Sequence, residues 1–247
     1  MHAAAFLAAA EALPVGDLDT LAGDGGIVVA APHPDDESLG CGGLIAEACA
    51  RGRSVRVVIV SDGCGSHTHS ASYPPDRLRS LRESETLEAV AALGLAPEHV
   101  RFLRLPDAHV PSEGPVAEEA AAAIAEAARD CAAGAVFVTW AHDPHCDHKA
   151  SAAIVAGARL GAARLFAYPV WGWSLPEDLE VGAGPEGYRL DVTPHLPAKA
   201  AAIAAHRSQT TDLIADDPTG FRLEPAMLVR FARPHEIFIA MRPGMPS

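Results

Sequence analysis

Two short segments concentrate side chains that could do chemistry. The first reads Pro32-His33-Pro34-Asp35-Asp36-Glu37. His33 and Asp36 are a metal-ligand type of pair, Asp35 between them is a free carboxylate, and proline on both sides stiffens the turn that carries the imidazole. A solvated turn with an N-capping aspartate is the plainer account of such a segment. The second reads His142-Asp143-Pro144-His145-Cys146-Asp147-His148, three histidines and two aspartates in seven residues. A helix cap would use one aspartate and leave the histidines over, so a metal or acid–base site is the better reading. Together the segments offer two imidazoles and one carboxylate with a position left open for water, the donor set of a catalytic zinc centre. Non-haem iron uses the same donors, so ligand type leaves Zn2+ and Fe2+ both open.

For the two segments to meet, they must leave neighbouring strands at one edge of a sheet. Short apolar or β-branched runs predict strands at 27–31, 55–61, 100–105, 135–140 and 164–170. Helical stretches at 43–50, 77–93, 116–131 and 149–160 lie between them. This alternation predicts βαβ units in an α/β, Rossmann-like, mostly parallel sheet with helices on both faces. In the strand order 3-2-1-4-5 the first and fourth strands are neighbours, and ligands bind in the crevice at their carboxyl ends. His33 and Asp36 then converge with His145 and His148. Gly40, Gly42 and Gly43 read as a tight turn into the following helix.

After residue 171 the rhythm changes. A Pro/Gly-rich loop is expected at 175–187, then a strand at 188–192, a helix at 197–206 and a strand at 236–241. The economical reading is one domain over 1–247, with a core at about 27–172 and a C-terminal elaboration at about 173–247. The 62–76 loop should overhang the crevice, and its His67 and His69 read as exposed loop residues rather than extra ligands. Trp171 and Trp173 offer aromatic faces that suit either a sugar ring or ordinary packing.

Composition narrows the function. Lys plus Arg number 19 and Asp plus Glu 32, a net charge of −13 at pH 7, with no basic cluster. Nucleic acid and anionic membrane are therefore poor partners. The five cysteines form no CxxC pair, which argues against a disulfide framework and for a reducing cytoplasm. No apolar run is long enough to span a bilayer. The alanine-rich 1–13 segment lacks Lys and Arg and reads as a short amphipathic helix packed on the domain, not as a secretory signal.

The two motifs, in this order and on these elements, resemble the PIG-L/LmbE-like zinc-dependent N-acetylglucosaminyl deacetylases, over roughly residues 27–210. Arg82-Glu83-Ser84-Glu85 with Leu93-Gly94, Asp107, and Lys199 with His206-Arg207-Ser208-Gln209 are weaker points of similarity. The resemblance implies that His33, Asp36 and His148 hold zinc and that Asp35 is the general base. It makes His145 the electrostatic or acid partner, oriented by Asp147, whose proximity would raise its pKa. It places Arg82 and Asp107 near the substrate; for Arg82 and Glu85 an ion pair along the helix is the alternative. The implied reaction removes an N-acetyl or N-acyl group from an amino-sugar type of substrate, a small-molecule amide such as a glycoconjugate. An amidase acting on a larger non-sugar amide or thiol conjugate, or a metal-binding module without turnover, stays open, as does homo-oligomer formation. The chain departs from certain thiol-pathway deacetylases at Asp143-Pro144, where they carry a tyrosine.

Overall fold

The computed structural model describes residues 1–241. Its elements, in order, begin with α1 (Ala3–Glu11), β1 (Val15–Gly16), α2 (Leu18–Ala22), β2 (Gly26–Ala31), α3 (Asp36–Ala50) and β3 (Val55–Ser61). They continue with α4 (Pro75–Ala92), β4 (Val100–Leu105), α5 (Pro115–Asp130), β5 (Ala133–Thr139), α6 (Cys146–Gly157) and β6 (Arg164–Tyr168). The C-terminal part adds β7 (Gly187–Asp191), α7 (Leu196–Ala205), α8 (Arg207–Thr210), α9 (Pro225–Phe231) and β8 (His235–Met241). Among the described residues no helix is long and apolar enough to cross a membrane.

Eight strands form one sheet in the order β1-β7-β8-β6-β5-β2-β3-β4. The block β4-β3-β2-β5-β6 is parallel and has the expected order. β8 pairs antiparallel with β6, and β7 antiparallel with β8, so the C-terminal stretch extends the same sheet. Every residue of β2 is buried, as a central parallel strand covered on both faces requires. Alternate residues feed two cores. Ile27, Val29 and Phe137 pack with α3, α4 and α7 through Leu44, Val90 and Ala202. Val28, Ala30 and Val136 pack with α1, α5 and α6 through Phe6, Ile124 and Ile154. The N-terminal segment is indeed a helix on the domain, with Phe6 stacked on Trp140 at 4.8 Å.

One expectation needs correction. The glycines after the first motif do not make a turn; α3 starts at Asp36 and contains all three. A Cβ on Gly40 would lie 2.1 Å from the Tyr168 ring, and one on Gly43 2.4 Å from Val192. Glycine in a helix costs about 1 kcal/mol relative to alanine. Here it lets β6 and the residue following β7 press against the helix backbone. The short β1, α2 and α9 have too few residues to carry a readable periodicity in the sequence.

The same bare helix surface admits a buried ion pair. Glu236 accepts the Gly43 and Leu44 backbone N–H groups at 2.7 and 2.8 Å, and Lys199 Nζ donates to it at 2.7 Å. Both side chains are buried, so α3, α7 and β8 are tied together in a low-dielectric spot. Removing one partner strands the other charge. Glu236→Ala is expected to lower the unfolding free energy in a urea titration by about 3–5 kcal/mol; a loss below about 1 kcal/mol would show that the pair does not hold these elements.

Candidate metal and catalytic centre

β2 ends at Ala31, and the stiff Pro32-His33-Pro34 link delivers the chain into α3. His33 N–H donates to Asp36 Oδ2 at 3.0 Å, which fixes the turn. Asp35 occupies the N-cap position but its side chain caps nothing, contrary to the plainer reading. Its φ of 148° is strained for a non-glycine residue, a cost of about 1–3 kcal/mol. Two buried partners hold it there. Arg82 donates to Asp35 Oδ2 at 3.2 Å and to the Pro34 and Gly63 carbonyls at 2.7 and 2.9 Å. Glu37 accepts the Asp35 N–H at 3.0 Å and is itself tied to His206 Nε2 at 3.0 Å.

The second segment follows β5. His145, not Asp147, caps α6: its Nδ1 accepts the Asp147 N–H at 3.2 Å. His148 lies one residue further on and is fully buried. The adjacency of β2 and β5 brings the imidazoles together, with His33 and His145 ring centroids 4.5 Å apart and His33 and His148 5.3 Å apart. Donor atoms of His33, His145 and His148 all fall within 4.8 Å of one another, as do those of His33, Asp107, His145 and Asp147. Asp36 touches two of these rings through one oxygen, Oδ2, which lies 3.2 Å from His33 Nδ1 and 3.3 Å from His148 Nε2.

The outer nitrogens of the same rings are claimed by other carboxylates. His33 Nε2 faces Asp147 at 3.1 Å and Asp107 at 3.2 Å. His148 Nδ1 pairs with Asp143 at 2.9 Å. Those carboxylates are pinned by main chain. Asp147 accepts the N–H groups of Ala108 and Val110, Asp107 that of Gly65, and Asp143 those of Val170, Trp171 and Gly172. Such carboxylate–imidazole pairs fix ring orientation and leave the inner nitrogen for an ion.

The charge balance points the same way. Burial disfavours a charged His148, yet Asp36 and Asp143 override it and hold its pKa at about 9. His33 is likewise pushed well above its ordinary value: burial opposes this, and Asp107, Asp147 and Asp36 prevail. Asp36 is driven far below the usual carboxylate range, against burial, by His148 and His33. A cradle that keeps extra protons on two buried imidazoles would hold a cation in their place. His148 Nε2 is fully buried and has no hydrogen-bond partner, because Asp36 is near it but out of alignment. A buried orphan nitrogen beside a carboxylate and a second imidazole suits a divalent ion of borderline softness.

His145 behaves differently from expectation. Burial lowers its pKa, and the neighbouring His33 and His148 add to the effect. Asp147 pulls the other way, as expected, but is outweighed, its carboxylate being turned to His33 and to the 108–110 amides. With Nδ1 accepting, the neutral ring carries its proton on Nε2. Arg82 and Glu85 do not pair with each other: Arg82 serves Asp35, and Glu85 accepts the Ser208 N–H and Oγ at 2.8 and 2.6 Å.

A cavity of about 420 Å³ opens over this centre. His33, Asp35, Arg82, Asp107 and His145 line it, and Trp171 with Phe221 forms a wall, their rings edge to face at 5.6 Å. Trp173 is elsewhere; His69 is exposed as expected but His67 is buried, contrary to expectation, and neither belongs to the donor groups. Sequence reasoning gave no role to Asp143, Glu37, His206 or Phe221. Asp143 and its partner His148 were both visible in the second segment, but the three amides that pin the carboxylate come from the turn after β6.

Comparison with known proteins agrees with the site. The model of the PIG-L family, GlcNAc-PI de-N-acetylase, matches residues 28–158. A protein of Saccharopolyspora erythraea, 1D-myo-inositol 2-acetamido-2-deoxy-alpha-D-glucopyranoside deacetylase 1, is 32% identical over 236 residues, 72% of this chain and 75% of its own. The N,N'-diacetylchitobiose deacetylase from Pyrococcus horikoshii has a similar fold, with a TM-score of 0.66 at 22% identity over 88% of this chain and 84% of that one. GalB, the 4-carboxy-2-hydroxymuconate hydratase of Pseudomonas putida KT2440, also aligns, with a TM-score of 0.57 at 25% identity over 73% of this chain and 77% of that one. The fold therefore carries more than one chemistry, and fold alone does not name the reaction. The family match, which takes in both polar segments and more than half of the chain, does: the protein belongs to the PIG-L family of de-N-acetylases, hydrolases of amides.

Proposed function

We propose that the protein is a zinc-dependent N-deacetylase of a small, N-acetylated amino-sugar glycoconjugate, with His33, Asp36 and His148 as the metal ligands. The observation that carries this reading is the orphaned His148 Nε2, buried against Asp36 Oδ2, with His33 Nδ1 on the same oxygen. Two imidazoles and one carboxylate leave a four-coordinate ion one open position, which suits zinc in a hydrolytic role. Bound there, zinc supplies a water of pKa about 7 and polarises a carbonyl.

The chain's own residues then have separable tasks. Asp35 is the base. Burial raises its pKa to about 6, and Arg82 opposes the rise, so the carboxylate is ionised at neutral pH yet close enough to it to take and return a proton. It accepts the proton of the water that attacks the acetyl carbon. His145 donates as a neutral imidazole, through Nε2–H, to the carbonyl oxygen as that atom gains charge. The C–N bond then breaks, the nitrogen takes the proton held by Asp35, and acetate and a free amine leave. Asp147 and Asp143 act through His33 and His148 by fixing their rings. Arg82 bonds Asp35 and two carbonyls through its two terminal nitrogens, so its part is to position the base.

The substrate class rests on the cavity and on a relative. The aromatic surface of Trp171 and Phe221 supports a pyranose ring as ligand, and the Asp107 carboxylate on the cavity lining supports a hydroxyl donor beside it. The S. erythraea relative is named for an inositol-linked acetamido-glucose substrate. All five cysteines are free, which supports a reducing compartment such as the cytoplasm.

Acetate release from N-acetylglucosaminyl glycosides, measured alongside zinc content, tests the reading. Asp35→Asn is expected to keep its zinc and lose about 10²–10⁴ in kcat; an unchanged rate would remove Asp35 as the base, and products of hydration in place of acetate would replace the reaction. Asp143→Asn is expected to weaken zinc affinity by about 10–100-fold in a chelator competition. Equal affinity in the two proteins would show that Asp143 does not orient His148.

A further inference from the structure

A second cavity, of about 250 Å³, lies across the turn that carries Trp171. It shares no lining residue with the cavity over the metal centre. Trp171 lines the one and Trp173 the other, so the turn after β6 divides them. Trp173 is held in place by its indole N–H, which donates to the Pro169 carbonyl at 3.2 Å.

The charge around this cavity is unlike that of the chain. The protein carries −13 overall, yet here Arg189, Lys199, Arg230 and Arg233 face only Glu11 and Glu236. Lys199 and Glu236 are spent on each other, and Glu236 also holds two α3 amides. Three arginines remain against Glu11. The Arg230 guanidinium lies 3.4 Å from the centroid of the Trp173 ring, a stack that fixes its plane. Burial lowers the Arg230 pKa against the pull of Glu11, and nearby Arg233 adds a smaller push in the same direction. Arg189 is anchored by its Nε donating to the Leu13 carbonyl at 2.8 Å.

The one acid already shows what the arginines do. Arg230 and Arg233 both donate to the same oxygen of Glu11, Oε1. That carboxylate belongs to the last residue of α1 and is 39% exposed. Two guanidinium groups thus converge on one oxyanion atom at the mouth of a cavity whose wall bears a third.

We propose that this cavity binds a small oxyanion, phosphate or a phosphomonoester, held by Arg189, Arg230 and Arg233, with the Glu11 carboxylate as the internal ligand it displaces. Guanidinium forks match phosphate oxygens two at a time, and charge-assisted hydrogen bonds of this kind are about twice as strong as neutral ones. The site is separate from the reacting centre and does not rest on the deacetylase reading.

Calorimetric titration of the zinc-loaded protein with inorganic phosphate, and separately with glycerol 2-phosphate, tests it. Saturable binding of one anion per chain is expected, accompanied by a change in tryptophan emission that Trp173→Phe removes. Arg233→Ala should weaken binding about tenfold or more, and Arg233→Lys should restore part of it. Arg233 is half exposed, so these variants leave the core intact. Glu11→Gln should tighten binding, since a competing carboxylate is gone. Binding of phosphate alone assigns the site to the free anion, and binding of both ligands extends it to monoesters. No saturable binding, weaker binding in Glu11→Gln, binding unchanged in Arg233→Ala, or binding lost when zinc is removed would overturn the proposal.

Discussion

Parallel pairing of β2 with β5 is the constraint on which the centre depends. The register Val28↔Val136 and Ala30↔Val138 brings both strands to the same edge of the sheet at the same level. Whatever follows them is delivered into one crevice. His33 follows the first strand by two residues, and His148 lies in the first turn of the helix after the second. No local interaction could place these rings 5.3 Å apart. The buried β-branched faces of the sheet set that distance, and a one-residue slip of either strand would turn its core residues outward and carry its loop away.

Within the crevice, the aspartates are sorted by what each bonds to besides an imidazole. Asp107, Asp143 and Asp147 fill their remaining lone pairs with backbone amides, so each can press on a histidine without needing a proton itself. Asp36 has His33 N–H and two ring nitrogens as neighbours, and the two imidazoles hold it in the ionised form against burial. Asp35, one residue earlier, faces Arg82 and meets the cavity in a strained backbone conformation. Adjacent aspartates are thereby given opposite characters: one is fixed as an anion, and the other is lifted by burial to where it can exchange a proton.

The C-terminal stretch completes this arrangement. His206 grips Glu37 next to the motif, Ser208 caps the carboxylate of Glu85 on α4, and Lys199 with Glu236 ties α7 and β8 to α3. The loops over the cavity are laced in the same way. Asp217 accepts the His69 N–H, Asp216 accepts Ser70 Oγ, and Phe221 donates its N–H to the Ser66 carbonyl. Phe221 is thus set opposite Trp171 by bonds that it and its neighbours make to the 66–70 stretch, remote in sequence.

The sequence by itself determined the element types, the order of the parallel block and the two polar segments. Apolar periodicity and Gly/Pro punctuation are local signals, and clustered histidines have no packing explanation. The resemblance of its motifs also singled out Arg82 and Asp107, which both line the cavity, but not what they touch. The tertiary structure decided that Gly40, Gly42 and Gly43 lie inside a helix, because their need is set by Tyr168, Lys199 and Val192 arriving from elsewhere. It decided that Asp147 bonds to His33 and that its pull on His145 is outweighed by burial and two neighbouring imidazoles, since these are set by the spatial surroundings and not by proximity along the chain. It decided the role of Asp143 and the gathering of arginines around Trp173 for the same reason. Charge and hydrogen bonding act over a few ångströms of space, and a linear order of residues does not contain those distances.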